Sequence, residues 1–165
     1  MSLYEATAYL FYGVRVQRTG RRGDRTENPP LGSSENGAGE IVDSAVEDRL
    51  RELGHAFPDW MALPHTDPES TVRYRAYKEQ LERLSFGCEL SVMGSGEADD
   101  EVIYAIVSES EKSCSSEDDH GGFGETVLRD GELIAPPRWD EQLRKFCELM
   151  KIPYTQPRWT LSMRG

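Results

Sequence analysis

The sequence predicts an α+β fold: a largely antiparallel sheet of about four to six strands with about three helices packed on it. Three observations carry this. The strand-like segments are short and joined by turn-rich connections. Three longer segments repeat apolar residues at helical spacing. The element order, β-α-α-β-β-(β-β)-α-β, lacks the regular alternation of a parallel α/β sheet. The 165 residues fit one domain, residues 1–165, large enough to bury a core without disulfides or a structural metal.

The elements follow in order. Thr7 to Val16, TAYLFYGVRV, is rich in aromatic and β-branched residues and apolar on both faces as far as Arg15, so it reads as a central strand. Gly13 within it marks a bulge or a close backbone approach. Residues 17–39 hold five glycines, the Pro29-Pro30 pair and almost nothing to bury, and read as a flexible loop within the domain. Ser44 and Glu47 have the S-x-x-E spacing of a capping box, which starts a first helix with Val46, Leu50 and Leu53 on its apolar face and Gly54 as its stop. Ile41 and Val42 precede that cap as a staple.

His55 to Thr66 is irregular, with Phe57, Trp60, Met61 and Leu63 plugging the core edge. Asp67-Pro68 opens a second helix, Asp as N-cap and Pro in the first turn, with Tyr74, Tyr77, Leu81 and Leu84 as its apolar stripe and Gly87 just past its end. Cys88 to Met93 alternates as a half-buried strand. Val102 to Ser108 is a more deeply buried one, and the two form an antiparallel hairpin. Glu109 to Gly124 reads as a polar loop. Thr126–Leu128 and Leu133–Ile134 flank Asp130-Gly131 as a second hairpin. The last helix runs from Pro137 or Arg138 to Met150, with Trp139, Leu143, Phe146 and Met150 on one face and Pro153 ending it. Arg158 to Met163 is the final strand, with Trp159 and Leu161 on one side.

Charge is unevenly distributed. The formal net charge is −11, which argues against a nonspecific binder of DNA or of anionic membrane, since both require a basic surface. Ser95 to Glu132 holds twelve acids against Lys112 and Arg129, a net of −10. The first 25 residues run the other way, with five arginines against Glu5 and Asp24, a net of +3. The acidic segments supply a candidate partner-binding patch: Glu97, Asp99, Asp100, Glu101, Glu117, Asp118 and Asp119. A patch of this kind steers association with a basic protein surface, and on a nucleic-acid enzyme it acts as a DNA mimic. Arg18, Arg21, Arg22 and Arg25 form a candidate anion-binding arm, because guanidinium pairs bidentately with phosphate.

Recognisable catalytic patterns are missing. Cys88, Cys114 and Cys147 form no C-x-x-C pair, and three free thiols fit a reducing cytoplasm. Cys88 and Cys147 read as small core residues, whereas Cys114 lies in an acidic stretch that disfavours its thiolate. Glu117-Asp118-Asp119-His120 and Asp99-Asp100-Glu101 lack the D-x-D-x-D-G calcium spacing. His55, His65 and His120 show no H-x-x-H or H-E-x-x-H spacing. Gly94-Ser95-Gly96 and Gly121-Gly122-Phe123-Gly124 match neither a P-loop nor a dinucleotide fingerprint, and no G-x-S-x-G elbow is present. Trp60, Trp139 and Trp159 read as core anchors, with Trp159 placed to serve an interface at the sheet edge. No apolar run approaches the ~20 residues that span a bilayer, and Met1 to Ala8 carries no Lys or Arg, so a cytoplasmic protein without a metal or cofactor is expected.

The opening TAYLFYGVRV resembles the Y-L-x-Y-G-[YV]-x-[LV] start of a group of small proteins found in phages of actinobacteria and in related prophages. The stretch FGCELSVMGSGEADDEVIYAIV resembles that group's G-V-E-F-E-x-[YH]-G-x-x-x-x-P-M-Y-x-L-A segment. The close, WDEQLRKFCELMKIPYTQPRWTLSMRG, resembles its W-D-x-x-L-x-x-x-[CL]-x-x-L-G-I…P-x-W-x-L-x-S-x-W-G tail. Together these cover about 60 of the 165 residues. Glu101-Val102 stands where the group has Pro-Met, and Met163-Arg164 where it often has Tyr-Trp. The group brings no assigned activity or catalytic residues. The resemblance implies a phage accessory product, a class that includes compact acidic inhibitors of host enzymes and defence systems.

The expected function is therefore that of a small acidic accessory protein. It binds and inhibits a host protein, in an anti-defence or anti-CRISPR-like manner, through its acidic patch. Two alternatives come from other classes: a protein that sequesters a small molecule or nucleotide, and a small metal-assisted hydrolase using loop carboxylates.

Overall fold

A computed structural model describes residues 7–16, 38–64, 66–93, 102–115, 131 and 133–164. It has the expected α+β architecture. Among the described residues five strands, β1 (Thr7–Val16), β2 (Cys88–Met93), β3 (Val102–Val107), β4 (Lys112–Ser115) and β5 (Arg158–Arg164), form one antiparallel sheet. Three α-helices, α1 (Ala38–Glu52), α2 (Pro68–Leu84) and α3 (Pro137–Met150), complete it.

The ten-residue β1 is the centre. Along one edge it pairs with β5 from Thr7 to Gly13. Its other edge is shared: Gly13–Val16 pair with β3 and Thr7–Leu10 with β4. β2 lies outside β3 in the predicted hairpin register, Cys88 opposite Val107 and Met93 opposite Val102. Between β3 and β4 a single 3₁₀ turn, Ser108–Ser110, inserts residues that have no counterpart on β1. Gly13 is a close approach rather than a bulge: a Cβ there would lie 2.3 Å from the Ala105 carbonyl oxygen.

Side-chain alternation divides β1 as its apolar pattern requires. Tyr12, Val14 and Val16 face the helices together with Ile103, Ala105 and Val107 of β3. On the opposite face Phe11 and Ile106 are fully buried, packed with Tyr9 and Tyr104; the Phe11 and Tyr104 rings meet edge to face at 4.9 Å. Helix α3 supplies the largest apolar face to the main core: Trp139, Leu143, Phe146, Cys147 and Met150 are all buried. Each such side chain contributes about 1.5–3 kcal/mol by leaving water. From α1, Val46 and Leu50 join this core, and the Arg49 guanidinium donates to the Leu149 carbonyl at 2.9 Å, tying α1 to α3.

Several local expectations are corrected. α1 runs from Ala38, so Ser44 lies inside the helix rather than at its start; Ile41 and Val42 are helical too, as are Ala38 and Gly39 at the end of the expected loop. Glu47 is engaged instead by the Arg51 and Tyr77 side chains. The stretch after Glu109 is not wholly a loop, since Lys112–Ser115 forms β4 and includes Cys114. Leu133 and Ile134 form no strand and are exposed. Leu53, Met61 and Tyr74 are exposed rather than buried. α3 stops at a left-handed Lys151 (φ 56°), ahead of Pro153.

Candidate functional site: an aromatic cleft beside α2

Asp67 accepts a hydrogen bond from the Glu69 backbone N–H at 2.9 Å, and Pro68 occupies the first turn, so α2 starts where the sequence places it. The Arg73–Glu69 pair bridges the first turns on the solvent side. Of its 17 residues only Ser70 and Tyr77 are buried. α1 and α3 come close to the sheet, whereas α2 stands off it. Its inward stripe is narrow: Tyr77 is buried, and Leu81 and Leu84 are partly buried against the core.

The space left between α2, α1 and β2 is a cleft of about 600 Å³. Such a volume suits a small ligand or an inserted side chain. Helical spacing brings Tyr74, Tyr77, Lys78, Leu81 and Glu82 to its wall. Val46, Cys88 and Leu90 supply an apolar floor, and Ser85, Glu89 and Ser108 line its polar side. Trp60, from the irregular segment before α2, meets Tyr74 edge to face at 4.9 Å and lies 6.0 Å from the Tyr77 ring. Phe57 extends the cluster, 5.7 Å from Tyr77. Tyr74 is 43% exposed at the mouth.

Two titratable groups that line the cleft are held in their neutral forms. Burial of Tyr77, then its hydrogen bond to Glu47 (2.6 Å), pushes its phenol well above the ordinary tyrosine range, so it acts as a neutral donor. Burial, then the neighbouring Cys147 and Glu89, pushes the Cys88 thiol up to about 12, the behaviour of a core thiol rather than a nucleophile. Cys147 is likewise raised, to about 11, by burial. Both are buried, as expected of core cysteines.

A second aromatic group lies at the start of α3 and serves to fasten the helix. The Tyr12, Trp139 and Trp159 ring centroids are 5.6–5.8 Å apart. The Tyr12 hydroxyl donates to Asp140 at 2.7 Å, and the Trp139 indole N–H donates to Glu109. Trp159 is therefore a packing partner of the core, although it sits on an edge strand. Another cleft, of about 580 Å³, runs between the end of α2 and α3; Glu79, Glu82 and Glu141 balance Arg83, Arg138 and Lys145 along it.

The predicted acidic patch, Glu97, Asp99, Asp100, Glu101, Glu117, Asp118 and Asp119, lies outside the described residues. So do Arg18, Arg21, Arg22 and Arg25, as well as His65 and His120. Among the described residues, no three His, Cys, Asp or Glu side chains converge as a metal site, and no helix is long and apolar enough to cross a membrane. Reading the sequence alone missed the cleft. Its signal was the pairing of Trp60 with two tyrosines on an otherwise charged helix. No protein-family model, curated protein or solved structure matches this chain.

Proposed function

We propose that this chain is a non-enzymatic binding protein whose partner is a protein with a basic surface, and that the cleft beside α2 receives an apolar side chain from that partner. The observation that carries this reading is the cleft itself: about 600 Å³ with Trp60 and Tyr74 at one wall and aliphatic side chains at its floor. Tryptophan and tyrosine in a concave site are the residue types that dominate protein-binding energetics. The net charge of −11 and the acid-rich 95–132 segment complement a basic surface and accelerate encounter with it. The resemblance to actinobacterial phage proteins supports a host protein as the partner and inhibition as the outcome, with a nucleic-acid enzyme as the target best suited to an acidic mimic.

The test of the charge component reverses Asp99, Asp100, Asp118 and Asp119 to Lys in the full chain. Captured partner should fall away in the variant and, with the unaltered chain, at high salt. Binding that is unchanged in both respects overturns the acidic-surface reading. A second reading, sequestration of an apolar small molecule, is favoured by the same cleft volume. Native mass spectrometry of freshly purified protein distinguishes it through a co-purifying mass.

A further inference from the structure

The stretch that forms one wall of the cleft is built differently from the rest of the molecule. It is bounded by two glycines in left-handed conformations, Gly54 (φ 90°) and Gly87 (φ 70°), and the residue before the second, Phe86, is also left-handed (φ 59°). Between these points the described residues hold together as one body. The Gln80 side-chain amide donates to the Ala56 carbonyl at 2.8 Å, the Ser70 hydroxyl to the Trp60 carbonyl at 3.4 Å, and Phe57, Trp60, Tyr74 and Tyr77 pack ring against ring. The far hinge is pinned to the core. The Gln142 amide donates to the Phe86 carbonyl at 2.9 Å, and the Ser108 N–H donates to the Gly87 carbonyl at 3.0 Å.

Attachment of this body to α1 is light by comparison. The Tyr77 hydroxyl donates to the Glu47 carboxylate at 2.6 Å, and Arg51 lies 5.4 Å over the Phe57 ring. Leu81 and Leu84 are only partly buried against the core, whereas Leu143 and Phe146 of α3 are fully buried. Segments with few buried apolar contacts open at free energies below that of global unfolding.

We infer that the segment between Gly54 and Gly87 is a hinged flap that opens the cleft, latched shut by the Tyr77 hydroxyl on the Glu47 carboxylate. Opening carries Trp60, Tyr74 and Leu81 away from the floor formed by Val46, Cys88 and Leu90. The flap gates the cleft used in the proposed function, but its test needs no ligand, so either reading can fail without the other.

Cys88 and Cys147 make the test possible in the unmodified chain. Cys88 lies on the cleft floor at 3% exposure, and Cys147 lies on the buried face of α3 at 1%. Alkylation by iodoacetamide under native conditions is followed at each cysteine by peptide mass spectrometry, in the wild type and in Tyr77→Phe, which keeps the ring and removes the latch. The expected result is Cys88 labelling faster than Cys147. In Tyr77→Phe, Cys88 labelling should rise about tenfold, the weight of one hydrogen bond to a charged acceptor, with Cys147 unmoved. Equal rates at the two thiols, shifting together in the variant, show global unfolding alone and overturn the flap. Absence of labelling at Cys88 in both proteins overturns it as well.

Discussion

The Ser110 hydroxyl accepts the Tyr12 backbone N–H at 2.9 Å and donates to the Val107 carbonyl at 2.6 Å, so a side chain stands in for strand backbone at the point where the ladder beside β1 breaks. The 3₁₀ turn Ser108–Ser110 interrupts the pairing, and without a substitute the buried Tyr12 N–H would lack a partner. Ser110 is 1% exposed, so water does not reach it readily. Ser110→Ala should cost about 1–3 kcal/mol, the penalty for orphaning a buried donor. Urea unfolding checks this; a variant as stable as the wild type contradicts the role.

Gly13→Ala should be more damaging. The added Cβ would meet the Ala105 carbonyl oxygen at 2.3 Å, and that atom is backbone in the adjacent strand. Relief requires moving β1 away from β3 at the centre of the sheet. A loss of roughly 3 kcal/mol, at the upper end of overpacking costs, is expected in the thermal melt.

Lys151→Gly should act in the opposite direction. Lys151 is exposed and left-handed (φ 56°) at the C-terminus of α3, a conformation that its Cβ disfavours. Glycine at this position should raise stability by about 0.5–1 kcal/mol in chemical denaturation.

Glu109→Gln should reveal a pH-dependent contribution. The Trp139 N–H holds the Glu109 carboxyl below its ordinary range against the opposing effect of burial, and the Arg138 guanidinium lowers it further. A carboxyl depressed in the folded state contributes stability above its unfolded pKa of about 4.3 and loses it as pH falls through the folded value. The difference in melting temperature between wild type and Glu109→Gln should therefore be full at neutral pH and close in the acid range. Side-chain exposures of 48% for Glu109 and 66% for Arg138 keep the effect small.

Much of the fold was legible because its signals are local. The apolar run of β1, the Asp67-Pro68 start of α2, the alternation of Cys88–Met93 and the face of Trp139, Leu143, Phe146 and Met150 each depend on neighbours in sequence. What was missed depends on distant partners. Lys112–Ser115 is polar and carries no strand pattern; its place in the sheet comes from pairing with Thr7–Leu10 of β1. Glu47 has capping-box spacing from Ser44, yet the helix runs on through it from Ala38, and its carboxylate is taken by Tyr77, 30 residues away. The cleft was invisible for the same reason. Trp60, Tyr74, Val46 and Leu90 belong to four separate segments, and only the stand-off of α2 brings them around one space.

The most direct test of the central claim is comparative capture from a bacterial lysate by the full-length wild type and by Tyr74→Ala, a substitution at an exposed ring that is not part of the main core. The expected result is a stoichiometric partner on the wild type, released by salt and lost or weakened at least about fivefold in Tyr74→Ala, the effect of an aromatic anchor contributing more than about 1 kcal/mol. A partner retained equally by both proteins, or no partner on the wild type, contradicts it.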